Sequence, residues 1–155
     1  MARMSSNQTK SFAVIDSNVI VYALIKDYPD KELHEKCLKL MEMGLKGELG
    51  YILAVNPIII VEVFSVLRKL LNCKEAEQKT NSLVSSLHLG FLTISKQACK
   101  TAIEWAMEKN IPVNDAVIAA CMMEYAGLIY TVDEDHFKKL KEYNVEILNP
   151  AKSPF

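Results

Sequence analysis

The segment Phe12-Ala13-Val14-Ile15-Asp16 places a carboxylate directly after a short, uninterrupted apolar run. Four consecutive apolar residues of this kind are typical of a strand that is buried on both faces of a parallel sheet. Asp133 ends a second apolar segment, Glu62 interrupts a third, and Asp115 precedes a fourth. Ionised carboxylates are rarely placed against apolar surface unless they are paired or bind a metal. These four acids are therefore the candidate functional residues.

Apolar runs with strand character alternate with longer segments of helical periodicity along the chain. Strands are predicted over 12–15, 51–55, 91–94, 128–132 and 145–148. Helices are predicted over 30–43, from Pro57 after an Asn56 cap, over 75–87, from Ser95 to about 109, and from an Asn114 cap to near Gly127. A further short helix is predicted over 134–140. This alternation predicts a mostly parallel sheet that is covered by helices on both faces.

The composition is that of one ordinary globular domain. The 155 residues are 50% hydrophobic and 24% charged, so disorder is expected only at the ends. We expect a domain over residues 11–150, a flexible N-terminal tail over 1–10 and a C-terminal tail over 151–155. The net charge of −1 gives no overall basic field, although a metal or a local basic stripe could still hold a nucleic-acid backbone.

Cysteine, histidine and apolar patterns exclude several other classes of site. The four cysteines and three histidines are scattered without ligand spacing, which argues against zinc and favours reduced thiols in the cytoplasm. The first eleven residues carry no apolar signal core, and the apolar stretch over 51–67 is interrupted by Asn56, Pro57 and Glu62. We therefore expect a cytoplasmic protein that does not enter a membrane.

The predicted topology brings the four acids to one rim of the sheet. Sites in open parallel sheets form outside the carboxyl ends of the strands, and Asp16 and Asp133 end the first and fourth predicted strands. Glu62 lies in the helix that leaves the second strand, and Asp115 in the first turn of the helix that leads to the fourth. Apolar residues three and four positions away place Glu62 and Asp115 on inward-facing helix faces, so these two carry the most weight.

Each acid taken alone also has an ordinary structural explanation. Asp16 could be a turn residue, Asp115 a helix-dipole acid, Asp133 a helix cap, and Glu62 the partner of a buried Arg or Lys. Their joint placement favours a cation site, because two carboxylates about 5 Å apart repel by roughly 3 kcal/mol at an effective dielectric constant near 20. An all-oxygen ligand set favours Mg²⁺ or Mn²⁺.

At these residues the sequence resembles the PIN-domain nucleases, and most closely the VapC-type toxins of toxin–antitoxin pairs. The matching stretches are Val14-Ile15-Asp16-Ser17-Asn18-Val19-Ile20, Glu62 in the helix after the second strand, Asn114-Asp115-Ala116-Val117-Ile118-Ala119-Ala120, and Thr131-Val132-Asp133-Glu134-Asp135-His136-Phe137. Their order and spacing extend over about residues 12–150. The resemblance implies a three-layer α/β/α sandwich with a five-stranded, mostly parallel sheet.

The resemblance also implies an activity, a cofactor and partners. The expected activity is metal-dependent endonucleolytic cleavage of RNA with Mg²⁺ or Mn²⁺. The expected partners are a second copy of the chain, in a homodimer, and a small antitoxin protein. The implied catalytic and metal-binding residues are Asp16, Glu62, Asp115 and Asp133, and the implied supporting residues are Ser17, Asn18, Thr131 and Asp135. One departure is Asn56, where the family more often has Ser or Thr. The resemblance therefore does not decide whether this position makes the family's supporting hydrogen bond.

Other functions remain to be weighed against this one. A receiver domain would need an acid after the third strand, where Thr93-Ile94-Ser95 has none, and a haloacid-dehalogenase phosphatase would need an acid at Asn18. A non-catalytic binding module with a PIN fold and a housekeeping RNA-processing nuclease remain alternatives. Lys10, Arg68 and Lys69 are candidate contacts for an RNA backbone, although ordinary solvated charges are the favoured interpretation.

Overall fold

The structure is a computed structural model that describes residues 12–125 and 127–152. Within these residues five strands alternate with seven α-helices. The strands are β1 (Phe12–Ile15), β2 (Ile52–Val55), β3 (Gly90–Phe91), β4 (Leu128–Tyr130) and β5 (Ile147–Leu148). The helices are α1 (Ser17–Leu24), α2 (Lys31–Leu45), α3 (Pro57–Leu70), α4 (Cys73–Val84), α5 (Lys96–Lys109), α6 (Val113–Met123) and α7 (Asp135–Lys138). The predicted tail over 1–10, with Lys10, lies outside the described residues.

The five strands form one parallel sheet in the order β3-β2-β1-β4-β5. This arrangement confirms the predicted three-layer α/β/α fold. β1 is the central strand, and Val14 pairs with Ala54 on one side and with Ile129 on the other. Because helices cover both faces of a central parallel strand, Val14 and Ile15 are completely buried, which explains the uninterrupted apolar run.

The strand order reverses between β1 and β4, and this reversal creates the crevice of the sheet. The chain adds β2 and β3 on one side of β1 and then crosses to add β4 and β5 on the other. The backbone N–H of Asp16 donates to the carbonyl of Tyr130 over 2.9 Å, so the ends of β1 and β4 lie side by side. Ligands of open α/β sheets bind at such a switch point.

Helix α6 leads from this rim back to the amino end of β4, and it packs closely against the sheet. Three of its buried side chains, Ala116, Ala119 and Ala120, are small, which permits close packing of the helix. At its far end, a Cβ atom on Gly127 would lie only 2.3 Å from the carbonyl oxygen of Phe12. Glycine is therefore required where the chain turns from α6 into β4.

Several predicted boundaries are wrong, each for an identifiable physical reason. β3 covers only Gly90–Phe91 because it is an edge strand, and its ladder ends with the bond from Leu92 N–H to the Val55 carbonyl at 2.8 Å. Helix α6 begins at Val113, one position after Pro112, so the predicted cap Asn114 is inside the helix and caps nothing.

The structure describes no helix that is both long and apolar enough to cross a membrane.

Two more helices differ from their predicted extents. α4 begins at Cys73 rather than at residue 75, because the side chain of Asn72 caps it by accepting a 2.8 Å bond from the Glu75 N–H. The helix predicted over 134–140 is reduced to Asp135–Lys138, with Glu134 at its cap position and no side-chain capping bond. Asp133 therefore does not cap this helix.

Candidate active site

Asp16 occupies the junction between the central strand β1 and helix α1. Its backbone is extended (φ −66°, ψ 155°), and its Oδ1 atom accepts a 2.8 Å hydrogen bond from the N–H of Ser17, so it caps α1. Only 6% of Asp16 is exposed. The turn interpretation of Asp16 is thus geometrically correct, but it does not explain why a carboxylate is buried there.

Two polar side chains from neighbouring segments surround the second oxygen of Asp16. The Thr131 hydroxyl donates to Asp16 Oδ2 at 2.9 Å, and the Asn18 amide approaches the same oxygen at 3.4 Å. Asn18 is itself held by a 3.4 Å bond from the Val132 N–H to its Oδ1 atom. Thr131 and Asn18 therefore lie beside Asp16, whereas Ser17 contacts it through its backbone N–H.

The Asp16 carboxylate is held in an environment that disfavours its charge. Burial raises the pKa of Asp16 from 3.8 to about 6. Hydrogen bonds from Thr131 and Ser17 oppose this rise, and the nearby charges of Asp115 and Glu62 add to it. Residues far apart in sequence therefore act on one carboxyl group, as the predicted shared rim requires.

Asp115 lies in the first turn of α6, where the helix dipole favours an anion. Burial raises the pKa of Asp115, the His136 side chain opposes the rise, and Glu62 and Asp133 add to it. The Nδ1 atom of His136 is 3.7 Å from Asp115 Oδ2, which is too long for a hydrogen bond but within the range of an ion pair. His136 was not among the predicted site residues, because nothing in its local sequence indicates contact with Asp115.

Glu62 lies in the second turn of α3 and is half-buried. Its Oε2 atom accepts a 3.3 Å hydrogen bond from the side-chain amide of Asn114, at the start of α6. In the described part of the chain Glu62 forms no ion pair with an Arg or Lys, so the alternative explanation as a buried salt bridge is not supported. Sequence reasoning missed this role of Asn114 because it assigned the residue to a helix cap.

Asp133 and Asp135 are both exposed at the rim. The backbone N–H of Asp133 donates to the Thr131 hydroxyl oxygen at 3.2 Å, which holds the segment after β4 against Asp16. Asp135 begins α7, and its charge acts on Lys152 rather than on the acids described above. The charges of Asp115 and Glu62 therefore act on Asp16, and those of Glu62 and Asp133 act on Asp115, whereas Asp135 is not among the groups that act on these acids.

Asn56 replaces the Ser or Thr that the resemblance leads one to expect, and it still caps α3. Its Oδ1 atom accepts a 3.0 Å hydrogen bond from the N–H of Ile59. The side chain is completely buried, which fixes the direction in which α3 leaves β2. The candidate RNA contacts Arg68 and Lys69 are exposed in the last turn of this helix, at the end opposite Asn56.

The family to which the chain belongs follows from a direct match. The family model of the PIN domain matches residues 13–143, which contain all four acids. The chain belongs to the PIN-domain family. A search of curated proteins found no match to this PIN domain.

Solved structures with the same fold include proteins named as VapBC complexes or as toxins. A chain of VapBC2 from Rickettsia felis, crystallised with a DNA fragment from its promoter, is 20% identical with a TM-score of 0.68, covering 89% of this PIN domain chain and 98% of its own. FitAcB from Neisseria gonorrhoeae is 20% identical with a TM-score of 0.67, covering 92% and 100%. VapC20 from Mycobacterium tuberculosis, described as a sarcin-ricin loop cleaving toxin, is 15% identical with a TM-score of 0.66, covering 81% and 93%. At these identities the similarity establishes the fold.

The acidic groups of this PIN domain fit a hard divalent cation in chemical type. All four are carboxylates. Burial is the main cause of the raised pKa values of Asp16 and Asp115, and the neighbouring carboxylates add to the rise, which a bound cation would oppose. Among residues 12–125 and 127–152, however, no three His, Cys, Asp or Glu side chains are arranged so that they could hold a metal ion as they stand. Binding would therefore require side-chain movement or water in the ligand shell, and Mg²⁺ usually keeps several waters.

Proposed function

We propose that this PIN domain is a Mg²⁺- or Mn²⁺-dependent endoribonuclease and the toxin of a toxin–antitoxin pair. The observation that carries the proposal is the burial of Asp16 at the switch point of the sheet, where Asp115 and Glu62 further disfavour its charge. A buried carboxylate with like-charged neighbours and a strongly raised pKa is a feature of functional sites. The cap that Asp16 provides to α1 does not require an acid, because Asn or Ser would cap the helix as well. In a protein with only about 5–15 kcal/mol of stability, a buried charge at this position therefore supports a functional role.

The roles of the individual residues follow from their positions. Asp16 and Asp115 would hold the cation, and Glu62 and Asp133 would bind it directly or through water. Thr131 and Asn18 would fix the orientation of Asp16, as outer-shell hydrogen bonds do at metal sites. When bound, the cation supplies the Lewis acidity that activates water and the charge that stabilises the scissile phosphate.

The proposals of substrate and partners have separate support. RNA is favoured as the substrate because VapC20, which has the same fold, is named as a sarcin-ricin loop cleaving toxin. An antitoxin partner is favoured because other proteins of this fold were crystallised as VapBC complexes, some with DNA. A homodimer and a cytoplasmic location remain part of the proposal. The alternatives are a housekeeping RNA-processing nuclease and a binding module without activity.

A cleavage assay tests the proposed activity. Purified protein is incubated with end-labelled cellular RNA in EDTA, and then with excess Mn²⁺ or Mg²⁺. We expect no cleavage in EDTA and restored cleavage with either ion for the wild type. Asp115→Asn should abolish cleavage, and Glu35→Gln, which removes an exposed acid on α2, should not. Cleavage that persists in EDTA would contradict the mechanism, and a folded protein that cleaves no RNA with either ion would favour the binding module.

A further inference from the structure

The first turn of α6 presents a side-chain amide that no helix cap uses. Pro112 occupies the cap position of α6 and makes no side-chain capping bond, and the helix begins at Val113. Asn114 is therefore the second helical residue and is exposed. Its Nδ2 atom donates to Glu62 Oε2 across 3.3 Å. This bond joins α6 to α3, between residues that are 52 positions apart in the sequence.

The partner that Asn114 provides for Glu62 is neutral. Glu62 is one of the charges that raise the pKa of both Asp16 and Asp115, so it lies among like charges. An Arg or Lys could have offset this repulsion, but it would also compete with a divalent cation for the carboxylate. An amide donates one N–H without a positive charge. One carboxylate oxygen of Glu62 is thereby engaged, and the other oxygen keeps its lone pairs for another ligand.

Asn114 is also the direct sequence neighbour of Asp115. A bond from Asn114 to α3 therefore fixes the first turn of α6 relative to Glu62, and with it the position of the Asp115 backbone. The contact joins the two helices that carry Glu62 and Asp115, and the charge of Glu62 acts on Asp115. A substitution of Asn114 would free Glu62 to turn toward solvent and away from its like-charged neighbours.

We infer that Asn114 is a positioning residue of the acidic site, whose amide holds the Glu62 carboxylate beside the other acids, where it can bind a divalent cation directly or through water. The inference rests on the proposed function, because it assigns a role toward the same cation. Outer-shell partners of metal ligands typically contribute about 10–100-fold to metal affinity. We expect the lower end of this range, about tenfold, because the contact is exposed and its 3.3 Å distance is long for a hydrogen bond.

The test is a Mn²⁺ titration of the full chain by calorimetry and by electron paramagnetic resonance of free Mn²⁺. We expect Asn114→Ala to weaken Mn²⁺ binding about tenfold. Asn114→Gln keeps the amide on a longer side chain and should bind Mn²⁺ more tightly than Asn114→Ala. Val113→Ala is the matched control in the same helical turn, and it should keep the wild-type affinity. Melting temperatures in EDTA should be similar for all three variants, because the lost contact is exposed.

A second background shows whether Asn114 acts through Glu62. The Asn114→Ala substitution is repeated in a Glu62→Gln protein, and the change in Mn²⁺ affinity is compared in a double-mutant cycle. We expect Asn114→Ala to have no further effect there. A wild-type affinity in Asn114→Ala, an equal loss in Asn114→Gln, or the same loss in both backgrounds would overturn the inference alone. Absence of Mn²⁺ binding by the wild type would overturn the proposed function as well.

Discussion

Replacement of Asp16 by Asn should stabilise the metal-free protein at neutral pH. Burial raises the pKa of Asp16 in the folded protein from 3.8 to about 6, so the folded state keeps a proton that the unfolded state releases. The ionised carboxylate is therefore disfavoured in the folded state above about pH 6, and this destabilisation disappears as the pH falls below 3.8. A shift of about two pKa units corresponds to roughly 3 kcal/mol, and the low exposure of Asp16 leaves little screening by solvent.

Lost hydrogen bonds reduce this gain. Asn keeps the shape of the side chain, but it weakens the charge-assisted bonds from the Ser17 N–H and the Thr131 hydroxyl. We therefore expect a net stabilisation of about 1–2 kcal/mol above pH 6. In a protein of this size each kcal/mol raises the melting temperature by about 2–4 °C.

The assay is thermal and urea unfolding in EDTA between pH 4 and pH 8. We expect Asp16→Asn to be more stable than the wild type at the high end and to lose this advantage at the low end. Asp135→Asn, which changes an exposed acid on α7, should show no such pH-dependent gain. The reasoning would be refuted if Asp16→Asn were destabilised equally at both ends, since the carboxylate would then be a structural element.

Two other substitutions test how the site is built. Thr131→Val removes the hydroxyl that donates to Asp16 at 2.9 Å. We expect it to lower the free energy of unfolding in urea by about 1–3 kcal/mol and to raise the Asp16 pKa measured by NMR titration. Thr131→Ser, which keeps the hydroxyl, should stay close to the wild type. Gly127→Ala would place a Cβ atom 2.3 Å from the Phe12 carbonyl oxygen. We therefore expect it to lower the free energy of unfolding by about 3 kcal/mol or more in the same assay. Wild-type stability would contradict the close approach of Gly127 to β1.

The features that sequence reasoning predicted well are those determined by local patterns. The apolar run before Asp16 indicated a central parallel strand, and the rule that sites form at strand ends placed Asp16 and Asp133 on the same rim. Glu62 and Asp115 were given the most weight because their helix faces were expected to point inward. Both are half-buried in the structure, and Asp16 is the most buried of the four acids.

The missed features depend on contacts between distant segments. The buried Asp16 carboxylate contacts Thr131, directly after β4, and Asn18 in α1, and helix α1 itself was not predicted. The Asn114 contact with Glu62 depends on a helix that begins two residues earlier than predicted, with Pro112 rather than Asn114 at the cap position. Such contacts leave no periodic pattern in the sequence, so only the folded arrangement reveals them.

The central claim is that the four acids form one cation site, and a crystal soaked in Mn²⁺ tests it most directly. Data collected near the manganese absorption edge would locate bound ions by their anomalous signal. The account predicts a peak between the carboxylates of Asp16 and Asp115, with Glu62 or Asp133 close enough to bind directly or through water. A saturating soak with no peak at this rim, or with ions bound only elsewhere, would contradict the account.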